Sequence, residues 1–261
     1  MTKKLYYTDM YGKEFDASVA SVGDDYIILD KTLFYPNSGG QPNDTGILKS
    51  KNGEISIVDV KQENGEIMHI AEDLKGISQG DSVHGIIDWN RRYIHMRYHT
   101  AVHIIDGVVS NDYKNGFLTG GQIYDDHARV DFSFDIIDRE LITEIISKAN
   151  EIVNSGLKVF EREMTSKEAL EIPGIARTEP GRQLIEKLPV VRIIEIENFD
   201  FQADGGTHVH NTKEVGKIEM LKIERPVTIK VYVTPTCQYC PKAVITAHKF
   251  ALMNKNIKSE I

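Results

Sequence analysis

The hydrophobic pattern of the first third of the chain has a period of two. Phe15, Ala17 and Val19 alternate with polar neighbours, and residues 26–29 form a short apolar run. Such alternation is typical of half-buried β-strands. Similar short patterns, separated by turn residues, continue to about residue 88. Residues 1–88 are therefore predicted to form a β domain.

From Asp88 onward the apolar residues recur at helical spacing. Asp88 is a good N-cap, and two amphipathic helices are predicted, one after Asp88 and one over residues 138–154. The elements predicted around the second helix are a hairpin turning at Asp125-Asp126, a short helix over 166–170, a loop over 172–189, and strands over 157–164, 190–197 and 215–223. Helices and strands segregated in this way predict an α+β domain over residues 89–224.

Composition narrows the class of protein. A chain of 261 residues can bury the cores of two domains. The formal net charge of -8 argues mildly against a nucleic-acid partner, although Arg91, Arg92 and Arg97 can form either a local basic patch or a solvated helix face. With two cysteines, no apolar run of about 18 residues and no signal-peptide pattern, the chain is predicted to be cytoplasmic, with no membrane partner.

Two histidine-containing segments are candidates for chemistry. His99 and His103 lie four apart in the predicted helix, so both face the same side. Asp204 and His208 lie four apart around a Gly-Gly pair. Three imidazoles and a carboxylate are a donor set that zinc accepts, and Gly205-Gly206 lets the backbone turn tightly and approach an ion or ligand. On spacing alone, His99 and His103 are as well explained as core or surface histidines as they are as metal ligands.

The residues of these segments resemble a known family, the free-standing alanyl-tRNA editing proteins, which are similar to the editing region of alanyl-tRNA synthetase. The family carries a His-Thr-x-x-His helix, here residues 99–103, and a late Cys-Gly-Gly-Thr-His-Val segment, here 204–209 with Asp204 in the cysteine position. A Phe-Tyr-Pro-x-x-Gly-Gly-Gln-Pro segment, which the family places in a small N-terminal β-barrel, is matched closely by residues 34–42.

The resemblance implies a β-barrel over 1–88 and a metal-dependent editing domain over 89–224. It implies hydrolysis of tRNA(Ala) mischarged with serine or glycine, with one Zn²⁺ per chain. The implied metal ligands are His99, His103 and His208, with Asp204 as a fourth ligand or an outer group. The oligomeric state is left open.

Further residues are expected at the substrate, with Thr100 and Gln122 as the catalytic residues. The hydroxyl of Thr100 can meet the serine hydroxyl or the attacking water, and the resemblance makes Gln122 a contact of the aminoacyl end. Arg129 and Asp131 lie on one strand face, where they can bind substrate or each other. The segment Gly205-Gly206-Thr207 is expected to bind substrate beside the metal.

The last 37 residues, 225–261, lie beyond the resemblance. Their pattern of a strand, Cys237-x-x-Cys240 and a helix resembles the start of a thioredoxin- or glutaredoxin-like domain, but it is too short to complete that fold. Two other functions therefore stand beside the editing hydrolase. One is a tRNA-binding module with a degenerate metal site, and the other is a thiol-disulfide oxidoreductase acting through Cys237 and Cys240.

Overall fold

The computed structural model describes residues 1–221, together with two short strands at 227–230 and 257–260. Cys237, Cys240 and the helix predicted after them lie outside the described residues. The chain divides into two compact units, one formed by Met1–Phe134 with Lys148–Ile218 and the other by Asp135–Ser147 with Glu219–Ile261. All of the site described below belongs to the first unit.

The first part of the chain consists of strands. In order they are β1 (Lys3–Lys4), β2 (Glu14–Val22), β3 (Tyr26–Leu29), β4 (Lys31–Thr32), β5 (Gly46–Ser50), β6 (Gly53–Glu63), β7 (Glu66–Ala71) and β8 (Ser82–Ile87). Six of them close into a barrel in the order β2-β3-β7-β6-β5-β8. All of its neighbouring strands are antiparallel, whereas β1 and β4 pair in parallel outside the barrel. The predicted barrel is confirmed.

The alternating residues of the barrel strands point inward. Side chains including Val19, Ile27, Leu48 and Ile57 are almost completely buried and form one hydrophobic core. The hairpin between β6 and β7 turns at Asn64 and Gly65, whose φ angles of 49° and 82° are the left-handed values that an Asn-Gly turn supplies. The period-two pattern therefore predicted this core correctly.

The second part of the chain mixes helices and strands. Its elements are α1 (Trp89–Asp112), β9 (Phe117–Ile123), β10 (Ala128–Ser133), α2 (Arg139–Ser155), β11 (Val159–Thr165), α3 (Ser166–Leu170), α4 (Glu179–Ile185), β12 (Val190–Ile196), β13 (Asp200–Ala203), β14 (Val227–Lys230) and β15 (Ile257–Glu260). Antiparallel pairs form a β9–β10 hairpin and a β11-β12-β13 sheet, and β14 pairs in parallel with β15. The predicted α+β architecture is confirmed, and no helix of the described part is long and apolar enough to span a membrane.

The helix α1 begins where the sequence predicts. The Asp88 side chain accepts a hydrogen bond of 3.1 Å from the backbone N–H of Arg91, as an N-cap does. The next residue, Arg92, does not join a basic patch, because it is fully buried and forms an ion pair with the equally buried Asp44. This ion pair anchors the start of α1 to the loop between β4 and β5.

Two predicted elements differ from the structure. The loop predicted over 172–189 contains α4, which starts because Thr178 caps it and Pro180 occupies its first turn. The strand predicted over 215–223 is absent from its described part, residues 215–221. There the backbone of Ile218 is paired instead with the side-chain amide of Asn150, through two hydrogen bonds of 2.9 Å.

Candidate metal centre

Two parts of the first unit bring four potential metal ligands together. The helix α1 supplies His99 and His103, and the turn after β13 supplies Asp204 and His208. One ligand atom from each of the four lies within 4.8 Å of every other. The His99 and His208 rings have centroids 4.3 Å apart, and those of His103 and His208 are 4.6 Å apart.

Burial keeps two of the three imidazoles neutral, and so able to bind a metal ion. Because the charged form is poorly solvated there, burial lowers the pKa of His99 to about 4 and holds the pKa of His208 well below its ordinary value. For His103 burial acts in the same direction, but Asp200 and the other carboxylates outweigh it and raise the pKa. Burial opposes ionisation of Asp204, yet His99 and His208 hold its pKa well below the usual value. A neutral ring and an ionised carboxylate are the forms that ligate metals.

The barrel orients the first ligand. Gln41, in the loop between β4 and β5, is fully buried, and its Oε1 lies 2.9 Å from Nδ1 of His99. The same amide accepts a 3.0 Å hydrogen bond from the N–H of Thr207 and donates one of 2.9 Å to the Thr207 hydroxyl. Since Oε1 can only accept, Nδ1 of His99 carries the proton and Nε2 is free to bind a metal.

A buried threonine orients a second ligand. Oγ1 of Thr100 lies 3.2 Å from Nδ1 of His208 and accepts a hydrogen bond of 3.2 Å from the N–H of Val209. Nε2 of His208 lies 3.1 Å from Oδ2 of Asp204. Thr100 is completely buried and lies beside His208, whereas its expected place was at the substrate.

Hydrogen bonds from two directions hold the turn between Asp204 and His208. The N–H of Gly206 donates a 2.5 Å hydrogen bond to Oδ2 of Asp204, and the buried Arg192 donates to the carbonyls of Asp204 and Gly206. A Cβ on Gly206 would lie 2.1 Å from Cε1 of His99, so only glycine fits at this position. At Gly205 the nearest atom to an added Cβ would be the Tyr7 hydroxyl at 3.5 Å.

His103 faces a buried polar network that is not predicted from the sequence. Nδ1 of His103 lies 3.5 Å from Oδ2 of Asp200, whose carboxylate accepts hydrogen bonds from Gln202 and Arg177. The same two side chains link Asp200 to Asp106. The signals were present. Asp106 follows His103 by one helical turn, and Asp200 and Gln202 alternate along β13 in phase with Asp204.

A cavity of about 260 Å³ opens beside the four ligands. Its walls include His99, His103 and Asp204, and its other lining residues are Gly39, Gly40, Val102, Asp106, Leu118, Gly120, Gly121, Gln122, Ile123, Ala176, Arg177, Thr178, Gly181, Ile185, Gln202 and Ala203. Nε2 of Gln122 donates to the carbonyls of Gly40 and Ile123, both at 3.1 Å. Within the described residues its Oε1 has no partner and can accept from a ligand.

The remaining candidate residues lie elsewhere. Arg129 is more than half exposed on β10 and pairs with Asp131 at 3.2 Å. Thr207 is buried against Gln41. Two further histidines lie outside the cluster: His69 is buried in the barrel, and His84 pairs on its surface with Glu14 and Asp16.

The donor set fits a divalent metal of the zinc type. Three imidazoles and one carboxylate match the nitrogen and oxygen ligands that zinc binds in four-coordinate sites. The second nitrogen of each ring faces a hydrogen-bonding or charged group, namely Gln41, Thr100 or Asp200, as in protein metal sites generally. His103 Nδ1 is buried without an ordinary hydrogen bond among the described residues, so Asp200 alone is placed to orient it.

Comparison with known proteins places this fold and site in a class. Residues 2–91 match the family described as tRNA synthetases class II (A), and residues 191–226 match the threonyl and alanyl tRNA synthetase second additional domain. The protein is thus of the class related to aminoacyl-tRNA synthetases, and the second match contains Asp204 and His208.

Individual relatives narrow the class to a family. The alanyl-tRNA editing protein AlaX-M of Saccharolobus solfataricus is 42% identical over 226 residues, which cover 86% of this chain and 94% of the relative. That of Methanosarcina barkeri is 40% identical over 231 residues, with the same coverage. The alanine–tRNA ligase of Thermococcus kodakarensis is 38% identical over 233 residues, only 24% of its length. The chain belongs to the alanyl-tRNA editing protein family, as its motifs predict.

Proposed function

We propose that this protein is a trans-editing hydrolase that deacylates tRNA(Ala) mischarged with serine, and also with glycine. Water and the ester at the 3′ end give the free amino acid and uncharged tRNA(Ala). The observation that carries the proposal is the buried cluster of three imidazoles and a carboxylate at the wall of the cavity. Membership of the alanyl-tRNA editing family supports the choice of substrate.

One Zn²⁺ is the proposed cofactor. His99, His103 and His208 would hold it, with Asp204 as the fourth ligand in the position where the family has cysteine. A bound zinc ion supplies Lewis acidity toward an ester carbonyl or a water molecule. Exchange of a thiolate for a carboxylate makes the donor set harder but leaves it within the range that zinc accepts.

The residues around the cavity bind and shield the aminoacyl group. Oε1 of Gln122 is an available acceptor for its ammonium or hydroxyl group, and Val102 and Leu118 provide apolar wall that limits the entry of bulk water. A cavity of about 260 Å³ suits a small amino acid better than a large one. Arg129 does not line the cavity and pairs with Asp131, so it is assigned no contact with the aminoacyl group.

The remaining motif residues act on the ligands rather than on the substrate. Thr100 holds His208 through Nδ1, and Thr207 holds the Gln41 amide that orients His99. Gly205 and Gly206 form the turn that brings Asp204 to the rings. We therefore propose them as positioning residues, in place of the catalytic and substrate-binding roles expected from the sequence.

The test measures zinc content and serine release from Ser-tRNA(Ala) on the full chain and on two variants, Asp204→Cys and Asp204→Ala. We expect about one zinc per chain and hydrolysis in the wild type, retention of both in Asp204→Cys, and loss of both in Asp204→Ala. The variant Cys237→Ser/Cys240→Ser is the control for the thiol hypothesis and should retain full hydrolysis.

Two outcomes would contradict the proposal. A wild type with neither zinc nor hydrolysis, in which Asp204→Cys gains both, would indicate a tRNA-binding module with a degenerate site. Hydrolysis no faster than the uncatalysed reaction in every variant would reject the editing activity altogether.

A further inference from the structure

A buried polar network contacts His103 on the ring nitrogen that is not available to a metal. Its central member is Asp200, whose side chain is completely buried. Asp106 is 1% exposed and Gln202 is 6% exposed. The fourth member, Arg177, belongs to the segment between α3 and α4.

The two oxygens of Asp200 have different partners. Oδ1 accepts a 2.6 Å hydrogen bond from Nη2 of Arg177. Oδ2 accepts one of 2.8 Å from Nε2 of Gln202 and lies 3.5 Å from Nδ1 of His103. With Oδ1 fixed by a guanidinium and Oδ2 fixed by an amide, the carboxylate has one orientation, and in that orientation it faces the histidine.

Arg177 also neutralises a pair of like charges. Its Nε lies 3.0 Å from Oδ2 of Asp106, while Nη2 binds Asp200. The same Asp106 oxygen accepts from Gln202 at 2.8 Å, so the two carboxylates are linked by one guanidinium and one amide. Two buried carboxylates with no cation between them would repel each other and be poorly solvated. The planar fork of the guanidinium presents Nε and Nη2 to the two carboxylates in a fixed geometry, which the single nitrogen of an ammonium group does not reproduce.

This arrangement changes the expected role of Arg177. In the sequence it lies in the loop predicted over 172–189, where an arginine side chain is expected to be solvated. Its side chain is only 19% exposed and is shared between two carboxylates, so little positive charge is left for a phosphate. It also lines the cavity together with Ala176 and Thr178.

We infer that Arg177 is a positioning residue for the metal centre: by holding Asp200 it orients His103 and so increases the affinity of the site for its metal. The inference rests on the metal site of the proposed function. Because the same side chain forms part of the cavity wall, the contact also fixes the wall that faces the aminoacyl group.

The test measures the zinc dissociation constant of the full chain, without tRNA, by competition with a chromophoric chelator. Arg177→Met is expected to weaken zinc binding about 10- to 100-fold, the usual effect of removing an outer partner of a metal-ligating histidine. The matched control is Arg182→Met, in the neighbouring α4, where the arginine is exposed and pairs with Glu186 at 3.7 Å. It should bind zinc like the wild type.

A double variant shows whether Arg177 acts through Asp200. Asp200→Asn should weaken zinc binding at least as much as Arg177→Met, and the combination should be no weaker than Asp200→Asn alone, within about twofold. The visible spectrum of the Co²⁺-loaded protein should change in Arg177→Met and not in Arg182→Met. If Arg177→Met does not fold, Arg177→Lys, which keeps the charge but not the fork, takes its place with the same criteria.

Two results would overturn the inference. One is zinc affinity in the Arg177 variant equal to that of Arg182→Met, and the other is effects of the Arg177 and Asp200 variants that multiply in the double variant. These readouts need no substrate. A protein whose zinc affinity depends on Arg177 but which does not hydrolyse Ser-tRNA(Ala) would reject the proposed function and leave this inference standing.

Discussion

Gly206 is the residue of the candidate site with the least space for a side chain. Its hydrogen replaces a Cβ that would lie 2.1 Å from the His99 ring and 2.9 Å from Oε1 of Gln41. The ring and the amide are both buried and hydrogen-bonded, so neither can move without losing a partner. The close approach of backbone to ligand, which the Gly-Gly pair suggests in the sequence, is therefore located at its second glycine.

Gly206→Ala is expected to displace His99 and weaken zinc binding by at least about tenfold, since it disturbs both a ligand and its hydrogen-bond partner. The neighbouring Gly205→Ala is the control, because its added methyl group meets only the Tyr7 hydroxyl at an ordinary distance. Chelator competition on both variants measures the difference. Equal affinities for the two variants would show that the turn is more adaptable than its packing indicates.

The juxtaposition of the four candidate ligands could be predicted from the sequence, whereas most of their hydrogen-bond partners could not. His99 and His103 share a helix face, and Asp204 and His208 lie in a motif, so local spacing and resemblance suffice. The contact of Gln41 with His99 joins residues 58 positions apart, and that of Thr100 with His208 joins residues 108 apart. No local pattern specifies such pairs. The expected place of Thr100 at the substrate follows from its neighbour in the sequence, His99, whereas its contact with His208 is visible only in the fold.

At the scale of elements, the barrel contains a polar group that its hydrophobic pattern does not reveal. His69, in β7, is fully buried, with Nδ1 3.0 Å from the carbonyl of Ile27 and Nε2 2.8 Å from the Thr32 hydroxyl. Since a carbonyl only accepts, Nδ1 carries the proton and the ring is neutral. Burial lowers the pKa of His69 to about 4.

The barrel should therefore lose stability in mild acid. The folded-state pKa of His69 lies below the unfolded value of about 6.5, so its contribution is fully present above pH 6.5 and is lost as the pH falls to about 4. A shift of this size corresponds to about 3 kcal/mol. Urea unfolding of the zinc-loaded protein between pH 7 and 4 measures the loss, which should be smaller in His69→Gln. Identical pH profiles for the two proteins would contradict this assignment.

The elements are predicted correctly where the hydrophobic pattern has a single period. They are predicted incorrectly where capping residues determine whether a helix forms. The strands of the barrel and the start of α1 follow from period two and from Asp88. By contrast, α4 is a seven-residue helix inside a stretch rich in Pro and Gly, and its only sequence signals are Thr178 and Pro180. The expected strand after Val215 is replaced in the described residues by an amide contact from Asn150, which lies 68 positions away.

At the scale of the whole molecule, the metal should stabilise the fold, since its four ligands come from segments about a hundred residues apart. Zinc at about 100 times its dissociation constant adds about 2.7 kcal/mol if it binds only the folded state. For a chain of this size that raises Tm by about 5–10 °C. His208→Ala should show no such rise, whereas His84→Ala, which alters a surface histidine, should match the wild type. A zinc-independent Tm in the wild type would mean that the cluster does not bind zinc.

The hydrogen bond that His99 donates to Gln41 also bears on the order in which the chain folds. Domains generally fold as units from the N-terminus during synthesis. The barrel strands end at Ile87, so the loop that carries Gln41 can be in place before Asp204 and His208 leave the ribosome. Gln41 would then already be in position to orient His99 when Asp204 and His208 join the candidate metal centre. A chain with a misfolded barrel would lack this amide, so correct folding of the barrel is a condition for correct assembly of the candidate metal centre.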